Sequence, residues 1–227
     1  MIELNASEER GIVDVIGNIK SIETGGAELI IYDTPGPNNS QDKTHGEITK
    51  KILNDGNFGL VIYVMNATQF GVDDDAKLLT KLFGFVEHDL KNKEILFVLN
   101  KADQVDECLG ESLDKLVSKA KDYLNRLGFE SATIFPVSAI AALLARKSLY
   151  KEHLTRKEKR LLSELIDQSQ DAEKCLYEHA NISAKQKNEV KKQSLTLAKE
   201  NSEIFELIDY SGITAVEFFL AKKLGSL

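Results

Sequence analysis

Two tetrads and one dipeptide in this chain have the residue types to hold a nucleotide. The first is Asp33-Thr34-Pro35-Gly36, directly after the apolar run Leu29–Tyr32. A carboxylate at a strand end can hold magnesium, usually through a water, because magnesium gives up its hydration shell reluctantly. A glycine three residues later lets a backbone N–H approach a γ-phosphate with no side chain in the way. Asp-Thr-Pro-Gly is also sound turn chemistry by itself. The second tetrad is Asn100-Lys101-Ala102-Asp103, directly after the apolar run Ile95–Leu99. A carboxylate accepts two parallel N–H bonds, and guanine offers such a pair in its ring N1–H and exocyclic amine. Adenine offers no matching pair, so Asp103 would select guanine. The Lys101 stem can lie along the flat base. The Asn100 amide can contact the base and tie neighbouring loops together. The same four letters also occur by chance in solvated loops. The dipeptide is Ser138-Ala139, after Ile134–Val137. Small residues there let a backbone N–H reach the base carbonyl oxygen, a weak signal when taken alone.

Such residues need strands that deliver them to one rim. Leu29–Tyr32, Leu60–Val64, Ile95–Leu99 and Ile134–Val137 are near-continuously apolar, as strands covered on both faces are. Helical stripes lie between them: Ile48 with Ile52, then Leu78, Leu79, Leu82, Phe83 and Val86, then Leu113 to Leu127, ended by Gly128. Strands alternating with helices predict a mostly parallel sheet with helices on both sides. Ligands of such sheets bind beyond the carboxyl ends of the strands. Upstream, Asn18–Glu23 alternates and Gly25-Gly26 follows, which predicts a hairpin and an antiparallel edge strand. From Ile140 to Leu207 no strand-like run occurs, and two to four helices are expected. Ser211-Gly212 breaks the chain before a last amphipathic helix with Ile213, Val216, Phe219 and Leu220, expected to pack on the sheet.

The bulk numbers narrow the classes. The chain has 227 residues, 42% of them apolar, and a formal net charge of −7. That charge argues against a general nucleic-acid surface. No run is long and apolar enough for a membrane-spanning helix, and no signal-peptide pattern opens the sequence. Cys108 and Cys175 have no metal-type spacing and read as free thiols of a reducing cytosol.

In order, the three motifs are similar to the third, fourth and fifth guanine-nucleotide motifs of translation-factor-class GTPases. The extended form Asp33-Thr34-Pro35-Gly36-Pro37-Asn38-Asn39 most resembles dynamin-like GTPases of the bacterial type. The resemblance covers roughly Asn18 to Ala139 plus the final helix. It implies a P-loop-GTPase-like α/β fold, with residues 1–145 and 208–227 forming a partial GTPase domain and 146–207 a helical insertion. It implies GTP or GDP and Mg²⁺ as ligands, with Asp33 near the metal through water and Gly36 near the γ-phosphate. Asn100, Lys101, Asp103, Ser138 and Ala139 would lie at the base. Partners implied are a second copy across the nucleotide site and a peripheral membrane or protein partner, with no nucleic acid.

The sequence departs from the family in one large respect. No Gly-x-x-x-x-Gly-Lys-[Ser/Thr] occurs, and no glycine is followed by lysine. Gly11 and Gly17 lack the lysine and hydroxyl that bind phosphate and magnesium. A switch-one threonine has no candidate, and Pro37 stands where a water-positioning glutamine could. The expectation is a domain whose first strand and phosphate loop lie upstream or on another polypeptide, with no catalytic residue assigned. The alternative is a pseudo-GTPase module that holds a protein partner through its helical insertion. Three further features have ordinary readings: His45 as an exposed residue, Asp73-Asp74-Asp75 as acids at a helix start, and Arg156, Lys157, Lys159 and Arg160 as a solvated helix face.

Overall fold

A computed structural model describes residues 59–69, 94–105, 112–171, 175–197 and 203–225, with single positions 22, 30, 31, 33, 76, 77, 79, 80 and 84. Three of the apolar runs form strands: β1 (Leu60–Asn66), β2 (Glu94–Asn100) and β3 (Thr133–Val137). They make one parallel sheet in the order β1-β2-β3. The register sets Leu60 beside Glu94 and Asn66 beside Asn100. On the other side of β2, Asn100 lies beside Val137. The three carboxyl ends therefore line up on one rim.

Side chains of β2 alternate between two cores, as the two-residue period of a strand requires. Phe97 and Leu99 join Met65 and Ile134 against the helix α1 (Leu113–Arg126), through Val117, Ala120 and Leu124. Leu79, at a helical position, is fully buried in the same cluster. Leu96 and Val98 face the other way, with Phe135 and Val137 of β3. The last helix, here α6 (Ile213–Lys223), covers that second face through Ala215, Val216 and Phe218. It does return to the sheet, and most of its circumference is buried. Burying each large apolar side chain contributes about 1.5–3 kcal/mol, so the two faces hold β2 most firmly.

Among the described residues, four more helices follow α1 before that end. They are α2 (Ala139–Leu149), α3 (Arg156–Asp171), α4 (Ala184–Leu197) and α5 (Glu203–Tyr210). The expected boundary after residue 145 falls inside α2. A third apolar cluster knits α2, α3 and α5 together through Leu144, Leu165 and Leu207, and it takes in Ala102 beside the rim. The Arg156–Arg160 stretch opens α3, and its four basic residues are exposed. A short 3₁₀ turn, Leu176–His179, leads to Asn181. The Asn181 Oδ1 accepts from the Ile134 N–H at 2.6 Å, and its Nδ2 donates to the Ala132 carbonyl at 2.7 Å. One side chain thus stands in for a neighbouring strand at the outer edge of β3, where unpaired backbone groups would otherwise remain.

The strand expected over Leu29–Tyr32 is absent at its two described positions. Ile30 and Ile31 lie outside any strand and are 63% and 70% exposed. A strand needs a partner for its backbone groups, and β1 pairs only with β2 among the described residues. An apolar run reports a preference for burial, not the presence of something to cover it. β1 shows the same shortfall: Ile62 and Val64 are 40% and 59% exposed, so it is covered on one face and not on both. The Asn18–Glu23 hairpin lies outside the described residues save for Ile22, which is buried and outside any strand. The Ile48–Ile52 stripe, Gly11, Gly17, Gly36, His45, Asp73-Asp74-Asp75 and Cys108 lie outside them too. Among the described residues, no helix is long and apolar enough to cross a membrane.

Candidate functional site

Where β2 ends, Asn100 turns its side chain back over its own loop. Its Oδ1 accepts the Lys101 N–H at 2.8 Å and the Ala139 N–H at 3.1 Å. The second bond joins positions 39 apart in sequence, so the Asn100–Asp103 loop and the Ser138-Ala139 pair form one structure. Ala67, just past β1, donates its N–H to the Asn100 carbonyl at 2.8 Å and adds the third strand end to the same junction.

Lys101 holds a left-handed backbone, φ 67° and ψ 30°. A non-glycine residue there costs on the order of 1–3 kcal/mol and persists only where its surroundings fix it. Here they do. Its N–H is taken by Asn100, its carbonyl accepts the Gln104 N–H at 3.1 Å, and the chain then winds into a 3₁₀ turn, Ala102–Gln104. The turn drives Ala102 into the third apolar cluster and leaves Lys101 exposed. Asp103 is half-buried, and its Oδ1 is a buried acceptor that meets no donor among the described residues. A buried acceptor without a partner is costly, about 1–3 kcal/mol and more for a charged group. Asp103 is thus a carboxylate with one buried oxygen that no N–H or O–H reaches among the described residues.

Ser138 is fully buried. Its Oγ caps α2 by accepting the Ala141 N–H at 3.2 Å, and its own N–H donates to the Ser211 carbonyl at 2.9 Å. Ser211 is also fully buried, at the corner between α5 and α6. Gly212 follows with φ 74°, and a Cβ there would stand 2.3 Å from the Pro136 carbonyl oxygen. The corner thus presses backbone against backbone beside the end of β3. Gln168 of α3 supplies one more tie. Its Nε2 donates to the Asp103 carbonyl at 2.7 Å, across 65 positions. Nothing in the sequence marked Gln168, an exposed polar residue on a helix. Ser211-Gly212 reads as a chain break, and its close approach to β3 is invisible until the elements are packed.

Asp33 stands apart. It is exposed and outside regular structure. Gly36, its partner in the expected phosphate contact, is outside the described residues. No group of three or more His, Cys, Asp or Glu that could hold a metal ion occurs among the described residues. The Asp103 carboxylate and the exposed Lys101 stem stand at one strand rim. The backbone N–H groups of Lys101, Ser138 and Ala139 are all taken within the chain, so the amide contact expected from Ser138-Ala139 to a base carbonyl is already spent on Asn100 and Ser211. What the fold defines is an α/β protein whose described strands make a three-stranded parallel sheet flanked by helices. No protein-family model, curated protein or solved structure matches the chain.

Proposed function

We propose that this chain is a guanine-nucleotide-binding unit resembling the GTPase domain of bacterial dynamin-like proteins, one that binds the base through Asn100, Lys101 and Asp103. The carrying observation is the Asn100 junction, whose single side-chain oxygen holds both the Lys101 and the Ala139 amides. Two motifs read independently from the sequence meet there. The orphaned Asp103 oxygen adds the chemical demand that the guanine N1–H and amine would meet. Binding at the carboxyl ends of parallel strands is the general habit of such sheets. Asp33 and Gly36 would serve the phosphate and magnesium end. The missing Gly-Lys pair leaves nucleotide binding as the proposal, with hydrolysis outside it.

The test is titration with fluorescent GDP and GTP. Micromolar binding is expected, weakened at least about tenfold in Asp103→Ala, since hydrogen bonds to a charged group are worth about 1.5–3 kcal/mol each. Asp103→Asn goes further. It replaces one acceptor by a donor, which suits xanthine, whose ring carries a carbonyl where guanine carries its amine. That variant should prefer XDP to GDP. Absence of binding by the unaltered chain at millimolar nucleotide would instead favour a module that holds a protein partner.

A further inference from the structure

We infer that Gln168 is a positioning residue for base recognition: α3 holds the Asp103 loop in its base-reading form through the Gln168 side chain. The inference rests on the guanine reading and extends it to a residue of the helical segment. The loop has three kinds of restraint. Asn100 fixes its start, by way of the Lys101 amide. Ala102 anchors its middle in the apolar cluster that also contains Leu162 and Leu165 of α3. Gln168 takes the Asp103 carbonyl itself, and the bond at 2.7 Å is the direct polar link from α3 to the residue expected to read the base. Val105 packs against the same cluster just beyond.

The geometry gives that bond leverage. Lys101 is left-handed, so the turn is a strained one that its surroundings must hold. The carbonyl and the side chain of Asp103 share one Cα, so a bond that fixes the carbonyl restrains the point from which the carboxylate is aimed. Releasing the carbonyl should therefore cost discrimination more than it costs folding. Position 168 is exposed, so its side chain contributes little to the core.

The experiment compares GDP with IDP, which lacks the exocyclic amine, in the full chain and in Gln168→Leu and Gln168→Lys. Leucine removes the donor and lysine keeps one. Gln168→Leu should lower the GDP-over-IDP affinity ratio by about fivefold, the worth of one neutral hydrogen bond, with an unchanged melting midpoint. Gln168→Lys should restore most of the ratio. In nucleotide-free protein, Gln168→Leu should also speed hydrogen exchange at the Gln104 and Val105 amides, which close the turn onto Lys101 and Ala102. An unaltered ratio in Gln168→Leu, in a protein whose parent chain discriminates, overturns the inference. A parent chain that binds neither nucleotide overturns the guanine reading and base positioning with it. The exchange measurement then still decides whether the tether exists: faster exchange keeps it, and unchanged exchange removes it.

Discussion

At the scale of single residues, type and environment decide what chemistry a side chain can do, and Cys175 shows the rule in reverse. A half-buried thiol could suggest a nucleophile. Burial first, and then the charge of the Asp209 carboxylate, push its pKa far up. The thiol stays protonated and donates to the Asp209 Oδ2 at 3.4 Å, while the Asp209 Oδ1 accepts from the Ser194 Oγ at 2.5 Å. Since only the thiolate attacks, Cys175 should resist iodoacetamide at pH 8 in the folded protein and react once denatured, as peptide mass mapping would read. Equal alkylation in both states would contradict this account. Asn100 is the opposite case. Its residue type and its place after a strand announced a loop tie, and the bond to Ala139 is that tie. Gln168 could not be announced, because a glutamine on a solvated helix face looks the same whether or not a carbonyl waits opposite it.

At the scale of elements, the ends of helices carry the information. Thr155 and Glu158 form a reciprocal cap ahead of α3. The Thr155 Oγ1 accepts the Glu158 N–H at 3.2 Å, and the Glu158 Oε2 accepts the Thr155 N–H at 2.7 Å. This is the Ser/Thr-x-x-Glu pattern that satisfies two free amides at once. Lys147 of α2 donates to the Glu158 Oε1 at 2.6 Å. That bond first, and then the two from Thr155, lower the Glu158 pKa from 4.5 to about 2. The folded chain thus keeps Glu158 ionised where the unfolded chain would protonate it. The stabilisation is complete above pH 4.5 and fades as pH falls toward 2. Carboxyl NMR should show a Glu158 midpoint near the low end of that window, and Glu158→Gln should remove this part of the acid sensitivity. A midpoint near 4.5 would show the cap to be absent in solution. The strands teach a different lesson. Ile95–Leu99 and Ile134–Val137 were legible as apolar runs because both faces and at least one edge find partners. Leu29–Tyr32 has the same composition, yet Ile30 and Ile31 are exposed, since composition cannot supply the neighbour.

At the scale of the whole molecule, the rim is held from the helical side. Ser211 accepts the Ser138 N–H, Gln168 holds Asp103, and Arg146 of α2 pairs with the buried Glu217 of α6. Gly212 is the tightest of these joints. Alanine there would need both a left-handed backbone and space already filled by the Pro136 carbonyl. Gly225 offers the matched control, with φ 73° and nothing within 4 Å. Gly225→Ala carries backbone strain alone, about 1 kcal/mol. Gly212→Ala should destabilise by roughly 2–4 kcal/mol and lower the melting midpoint by roughly 5–10 °C. Equal melting of the two variants would mean that the corner yields, and that its contact with β3 is loose. A Gly after Ser is readable as a break in any sequence. What sits against it depends on elements from distant parts of the chain, so only the assembled packing reveals the constraint.

The second core has a consequence for how the protein comes into being. Leu96, Val98, Phe135 and Val137 leave the ribosome well before Ala215, Val216 and Phe218, which share their core. Until then a nascent chain must carry a greasy sheet face that Tyr177, Ala180 and Val190 can only partly cover, and its safe passage to the finished state depends on whatever keeps such surfaces apart in the meantime.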